Sequence, residues 1–197
     1  MGTKEYEKKR NLSRSGEPAG GARKSGDQPA FVIQKHDASS LHYDFRLEVG
    51  GVLVSWAVPK GLSTDPRDKR LAIRTEDHPL DYTDFEGVIP QGEYGGGTVI
   101  VWDRGTFENI TRKKGRAVGI ESALKHGHAV VRLNGEKLTG GYALQRIETG
   151  EREQWLIIKV DDEAADARRN PVSTQPRSVV TGRTVAEVAR EEGRNSS

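Results

Sequence analysis

Residues 41–58 read LHYDFRLEV, then two glycines, then VLVSWAV, and this stretch limits the fold more than any other. Each run alternates at the two-residue period of a β-strand, and Gly50-Gly51 is a tight hairpin connection between them. In the first run Tyr43, Phe45, Leu47 and Val49 share one face, while His42, Asp44, Arg46 and Glu48 share the other. The first face is built for a core. The second either is solvated, as in any half-exposed antiparallel sheet, or carries chemistry.

The same reading continues along the chain. Further strands are predicted at Arg70–Arg74, Thr98–Trp102, Thr106–Glu108, His128–Leu133, Lys137–Arg146 and Gln154–Val160. Asp103-Arg104-Gly105 reads as a hairpin, and Asn134-Gly135 as a type I′ turn. Ile120–Lys125 reads as one helical turn. Thr184–Ala189 reads as a helix, with Thr184 as N-cap and Glu187 at capping-box spacing. Many short strands with few helices predict a mainly β protein, a small antiparallel barrel or sandwich. The three tryptophans, at 56, 102 and 155, fall in strand-like runs and are read as core.

Composition sets the outline. The 197 residues suffice for one domain with terminal arms, and 30% charged against 34% hydrophobic residues places part of the chain outside the core. Residues 1–29, rich in Gly, Ser, Pro and charge, are read as an arm that orders against the body or a partner. Residues 30–161 form the barrel core. Residues 162–197 form a polar segment whose short helix packs on or beside it. No cysteine is present, which excludes disulfides and thiolate chemistry and fits a reducing compartment. With no membrane-length apolar run and no leader pattern, the expectation is a soluble, cytoplasmic, nucleoid-associated protein. A net charge of +2 announces no global field, but seven Lys or Arg against four Asp or Glu in the first thirty residues, and the run Arg112–Arg116, are local basic clusters.

The chemistry gathers in two segments. His36, His42 and Asp44 offer two imidazoles and a carboxylate, enough to hold a divalent metal with positions left open, and Arg46 is placed to meet an anion there. Solvated strand faces are usually written with Lys, Glu and Thr, so the histidines favour a metal or anion site. In the second segment His78 precedes Pro79, which pushes it to extended geometry, and its imidazole is suited to an oxyanion or to proton transfer. Tyr82 offers a phenol to the same group. Gly95, Gly96 and Gly97 lack the Lys-Ser/Thr of a P-loop and read as a turn or bulge. His126 and His128 read as incidental. No nucleophile elbow appears.

With those residues in view, FVIQKHDASSLHYDFRLEVGGVLVSWAVPKG, KRLAIRTEDHPLDYTDFEGVIPQGEYGGGTVIVWDRGTFE, QWLIIKVDDE and RSVVTGRT together resemble the 3′-phosphoesterase module of bacterial DNA ligase D. The resemblance implies a small β-barrel with short flanking helices. It implies a manganese-dependent enzyme that removes 3′-terminal ribonucleotides and 3′-phosphates from primer strands in non-homologous end joining. His36, His42 and Asp44 would be the metal ligands, for Mn2+ or for Co2+ or Zn2+, and Arg46, His78 and Tyr82 would hold the scissile phosphate. Gln34, Lys60, Arg70 and Glu76 match further positions around the site, and Arg10 and Glu17 match substrate-binding positions of the arm. Partners would be DNA primer–template or nicked ends, with the ligase, polymerase and Ku of the pathway.

Two departures stand out. The family's arm reads Lys-Arg-Asp-Phe, whereas this chain has Lys9, Arg10, Asn11 and Leu12, so the acidic charge is missing and the efficiency or balance of the two reactions is where its loss would show. The chain also has no Lys-x-Asp-Gly adenylation motif, which predicts a stand-alone enzyme or an excised domain. Two rival classes share parts of the pattern. One is a non-haem Fe(II) oxygenase, which also uses a His-x-Asp and a distant His. The other is a non-catalytic DNA-end binding module. In the phosphoesterase reading the basic arm and Arg112–Arg116 would track the nucleic-acid backbone, with affinity falling as salt rises.

Overall fold

The computed structural model describes residues 2–193. Met1 and the last four positions of the expected C-terminal segment lie outside the described residues. The arm holds two short helices, α1 (Lys4–Lys8) and α2 (Leu12–Ser15). Then come β1 (Ala30–Asp37), β2 (Leu41–Val49), β3 (Val52–Val58) and β4 (Lys69–His78), a 3-10 turn at Leu80–Asp84, and β5 (Gly87–Ile89). The long β6 (Gly97–Asn109) leads into a small hairpin, β7 (Arg112–Lys113) and β8 (Arg116–Ala117), and into α3 (Ile120–Lys125). Next are β9 (His128–Gly135), β10 (Thr139–Glu148) and β11 (Gln154–Lys159), followed by α4 (Pro171–Thr174) and α5 (Val185–Gly193).

Eight strands close into an antiparallel barrel in the order β1-β2-β3-β4-β11-β10-β9-β6, with β6 returning to β1 and β5 added beside β6. Closure removes the sheet edges that an open array would expose. The interior is filled by the apolar face anticipated for β2, together with Phe31, Ile33, Val54 and the buried Trp56, Trp102 and Trp155. A second, smaller cluster lies on the outer face, where Val32, Leu53 and Val101 meet Leu80, Tyr82 and Tyr6. Tyr6 is the arm's one aromatic residue, and its complete burial shows that the arm is ordered against the barrel.

The β2–β3 hairpin has the predicted ends, with Gly50 at φ +60° and Gly51 at +82°. The capping box at α5 is present: the Glu187 N–H donates to Thr184 Oγ1 at 3.2 Å and the Thr184 N–H donates to Glu187 Oε2 at 3.0 Å. Two turn signals mean something else. Asp103-Arg104-Gly105 is no hairpin but the middle of β6. The Asp103 carboxylate is turned to the neighbouring connection, where it accepts the N–H groups of Glu136, Lys137 and Leu138. Gly105 is needed because a Cβ there would lie 2.0 Å from the Asn134 carbonyl oxygen. Asn134-Gly135 is likewise not the turn. The chain reverses at Glu136-Lys137, with the Gly135 N–H donating to the Leu138 carbonyl, and Gly135 makes room for Phe31 and Asp103. Finally, β4 runs past the predicted Arg74 to His78, so that residue ends a strand, in the extended geometry expected before Pro79. Among the described residues no helix is long and apolar enough to cross a membrane.

Candidate active site

The polar face of β2 looks outward from the barrel, yet it is not solvated. The arm, the 3-10 turn and the glycine loop before β6 cover it, leaving Asp44 6% and Arg46 3% exposed. Strand pairing sets His36 opposite His42 and Gln34 opposite Asp44, so one sheet face collects all four side chains. His36 Nδ1 lies 3.6 Å from Asp44 Oδ2, His42 Nε2 lies 3.3 Å from the same oxygen, and the three ligand atoms fall within 4.8 Å of one another.

The tautomers suit a cation. His36 Nε2 touches the Gly95 carbonyl at 2.8 Å and His42 Nδ1 touches the Ser40 carbonyl at 3.0 Å. A carbonyl only accepts, so both of these nitrogens carry hydrogen, and His36 Nδ1 and His42 Nε2 are the atoms turned to Asp44: they donate to it when the rings are protonated and offer lone pairs to a cation when the rings are neutral. Orientation of ligating imidazoles by backbone carbonyls is the usual arrangement around a protein-bound metal. Burial pushes the Asp44 carboxyl up, but the Arg46 charge and the hydrogen bonds from both histidines outweigh it and hold Asp44 well below the usual carboxylate range. At His42 burial pushes down, and the bond to Asp44 more than reverses it, so the imidazole sits above its ordinary value. This donor set of two nitrogens and an anionic oxygen fits a divalent ion.

Arg46 is held from three sides. Its Nε–H donates to Gln34 Oε1 at 2.7 Å, Nη1 donates to Ser55 Oγ at 2.9 Å, and Nη2 lies 3.5 Å from Asp44 Oδ2. Gln34 is locked in turn, because its Nε2 donates to the carbonyls of Tyr82 and Phe85. Opposite stands a group from the arm and β4. Arg10 bonds Glu17 at 3.0 Å and Glu76 at 2.9 Å, and its Nη2 lies 3.3 Å from His78 Nε2. A guanidinium only donates, so His78 Nε2 is the acceptor and Nδ1–H donates to the Glu76 carbonyl. Burial first, then the charges of Arg46 and Arg10, hold His78 well below its ordinary pKa, so the ring is neutral. The Tyr82 hydroxyl donates to Glu17 at 2.7 Å, and burial with the nearby Glu17 charge raises it well above the usual phenol range.

His36, His42, Asp44, Arg46, His78, Tyr82, Glu76 and Arg10 thus line one cavity of about 380 Å3, with Gln34 and Glu17 buried behind its wall. Lys60 and Arg70 do not line it: Lys60 is exposed after β3, and Arg70 is the second residue of β4, with Asp68 3.5 Å away. Asn11 is also outside, exposed at the start of α2, where its side-chain carbonyl accepts from Ser13. The sequence reading missed Ser55, Tyr6, Thr75 and Tyr94. Ser55 had a visible signal, a lone hydroxyl in an apolar strand. Tyr6 had another, a single aromatic in a polar arm.

Comparison with known proteins shows the family of the chain. Residues 34–146 match the family described as the DNA Ligase D 3′-phosphoesterase domain. The multifunctional non-homologous end joining protein LigD of Pseudomonas aeruginosa is 46% identical over 92% of this chain, a span that is 21% of that protein. The multifunctional non-homologous end joining DNA repair protein LigD of Mycobacterium tuberculosis strain H37Rv is 46% identical over 80% of the chain and 20% of its own length. The protein of Mycolicibacterium smegmatis is 43% identical over the same shares. The chain belongs to the DNA ligase D 3′-phosphoesterase domain family. It spans about a fifth of the length of these curated relatives.

Proposed function

We propose that this protein is a manganese-dependent phosphoesterase that heals DNA 3′ ends. It removes a 3′-terminal ribonucleotide and then the 3′-phosphate, leaving the 3′-hydroxyl that the polymerase and ligase of Ku-dependent end joining require. One observation carries the reading: three ligand atoms within 4.8 Å of one another share a cavity with Arg46, Arg10, His78 and Tyr82. A ligand triad beside convergent anion donors is what phosphoryl transfer to water needs.

His36, His42 and Asp44 would hold the ion, which when bound supplies Lewis acidity toward a phosphate oxygen and a bound water of lowered pKa. Arg46 is preset by Gln34 and Ser55 to meet the equatorial oxygens without reorganisation. Tyr82 keeps its proton, so it is a donor whose hydrogen turns from Glu17 to the phosphate. His78 is held neutral first by burial and then by the guanidinium charges of Arg46 and Arg10. An arriving phosphate offsets those charges, and the ring takes up a proton at Nε2. It then donates to the phosphate or to the departing oxygen.

The test uses a labelled primer–template with one 3′-terminal ribonucleotide, incubated with Mn2+, Co2+, Zn2+, Mg2+ or chelator. Shortening to a 3′-phosphate and then a 3′-hydroxyl, lost in chelator and in His42→Ala, is the expected result. End binding with no product under any metal overturns it in favour of a non-catalytic binding module.

A further inference from the structure

The active-site cavity does not end at the phosphate donors. Ala57, Thr75, Glu76, Tyr94 and Arg152 line it and also line a second cavity of about 580 Å3. That volume lies in the range of roughly 300–1,000 Å3 typical of small-molecule sites. Tyr94 stands at the junction with 47% of its surface exposed, and Arg10 and Lys9 lie over its ring, 5.0 and 5.4 Å from the centroid. Its loop is fixed. The Glu93 N–H donates to the Pro90 carbonyl, the Gly96 N–H donates to the Glu93 carbonyl, and Arg14 pairs with Glu93 at 3.2 Å. The next residue, Gly95, is the one whose carbonyl orients His36.

Charge indicates what the second cavity takes. Glu5, Glu76, Glu151 and Glu153 line it against Lys9, Arg74 and Arg152; Arg74 is paired with Asp77 at 2.8 Å, Glu76 with Arg10 and Lys9 at 2.9 and 3.4 Å, and Glu153 lies 4.0 Å from Arg146, which leaves Glu5 and Glu151 set against Arg152. A groove of that balance disfavours a strand bearing a phosphate on every nucleotide. It suits an uncharged nucleoside, whose ribose hydroxyls donate to carboxylates and whose base stacks on a ring.

We infer that this cavity is the subsite for the departing 3′-terminal ribonucleoside, with Tyr94 as the platform for its base. The inference rests on the phosphodiesterase reading. In that reaction water adds its oxygen to phosphorus, the bond from phosphorus to O5′ breaks, and a proton ends on O5′. The phosphate stays on the primer and the nucleoside leaves uncharged. A 3′-phosphate substrate brings no such group, so the subsite separates the two reactions.

The experiment measures kcat/KM for both substrates in the wild type, Tyr94→Ala and Tyr94→Phe, with circular dichroism to confirm folding, and saturation-transfer NMR of adenosine on the same proteins. The diester-to-monoester ratio of kcat/KM falls roughly 5- to 150-fold in Tyr94→Ala, the usual range for losing one base–aromatic stack, and recovers in Tyr94→Phe. Saturation transfer reaches the adenine protons in the wild type and is lost in Tyr94→Ala. An unchanged ratio, or no transfer to adenosine in the wild type, overturns the inference. Adenosine contact that depends on Tyr94 in a protein with no esterase activity sinks the phosphoesterase reading instead and leaves the nucleoside site standing.

Discussion

Gln34 and Arg46 are joined by a 2.7 Å hydrogen bond across the β1–β2 pair, and that bond decides where the guanidinium points. Gln34 touches no open part of the cavity, so it is a positioning residue. Gln34→Ala leaves a buried guanidinium N–H without an acceptor and costs about 1.5–3 kcal/mol of stability by the usual worth of charged hydrogen bonds. The same loss of aim is expected to lower kcat/KM about 10- to 100-fold with little change in Mn2+ affinity. Urea titration and single-turnover cleavage check the two halves, and an unchanged rate would show that Arg46 is aimed by Ser55 alone.

The two shifted histidines give opposite pH dependences. His78 is depressed in the folded state, so below about 6.5, its ordinary value, the unfolded chain binds a proton that the folded one does not, and stability falls as pH drops toward the folded pKa. His42 is raised, so its contribution is complete below 6.5 and is lost as pH rises through its folded pKa. Denaturant midpoints of the metal-free protein between pH 5 and 8 are expected to lose their acid slope in His78→Asn and their alkaline slope in His42→Asn. In addition, the His78 ring signals in NMR should titrate upward when inorganic phosphate is added, because the anion offsets Arg10 and Arg46.

Metal should stabilise the fold by mass action, since the triad is assembled only in the native state. At a free Mn2+ concentration one hundred times Kd the expected gain is about 2.7 kcal/mol. Binding should also release protons as His42 gives up its raised pKa. Calorimetry in buffers of different ionisation enthalpy measures that release, and Asp44→Asn should abolish both effects. A metal-induced shift that survives Asp44→Asn would place the ion elsewhere.

The arm makes a separable contribution. Tyr6 is fully buried, its hydroxyl donates to the Pro18 carbonyl at 2.6 Å, and its ring centroid lies 5.0 Å from that of His78. Tyr6→Ala removes the anchor that brings Arg10 and Glu17 to the site. Activity is expected to drop at least tenfold while Mn2+ affinity stays within about twofold, because the ligand triad lies on β1 and β2. Limited proteolysis should then cut in residues 9–18, where the wild type resists.

How much of this was written in the sequence depends on the range of the interaction. The β2 face was legible because period-two alternation is local, and so were the Gly50-Gly51 turn and the capping box. Asp103 and Gly135 misled because their roles are non-local. One caps a turn more than thirty residues away and the other clears space for Phe31, so residue types that usually make turns were spent on packing. The polar face of β2 was correctly separated from the core face, but its burial was not foreseen. That burial comes in part from an arm whose one fully buried apolar anchor among the described residues is Tyr6, with Leu12 packed partly buried against the same cluster. Tyr94 stayed silent because a single phenol gains meaning only from what the fold sets beside it, and the lone hydroxyl of Ser55, though visible in its apolar strand, gains its meaning only from Arg46.

The last prediction concerns the basic run Arg112–Arg116, which forms the β7–β8 hairpin. Lys114 at φ +50° and Gly115 at +75° make its turn, and every residue from Arg112 to Ala117 is exposed. Exposed arginines elsewhere are matched, as in Arg67–Asp65, Arg132–Glu108 and Arg168–Asp166, but none of the hairpin's four cations makes an ion pair among the described residues. The hairpin follows the end of β6 remote from Gly95 and His36. Thirteen strand residues put it no more than about 40 Å along from the site, the reach of roughly a dozen base pairs. Replacing Arg112, Lys113 and Arg116 by Gln, with Lys114 kept because its φ sets the turn, should flatten the dependence of log K on log salt for a long duplex by up to about 2.7, near 0.9 for each phosphate no longer neutralised. Affinity for a six-base-pair end should hardly change. An unaltered slope on the long duplex would mean that these cations face only solvent, and that the grip on DNA is confined to the cavity at the barrel's other end.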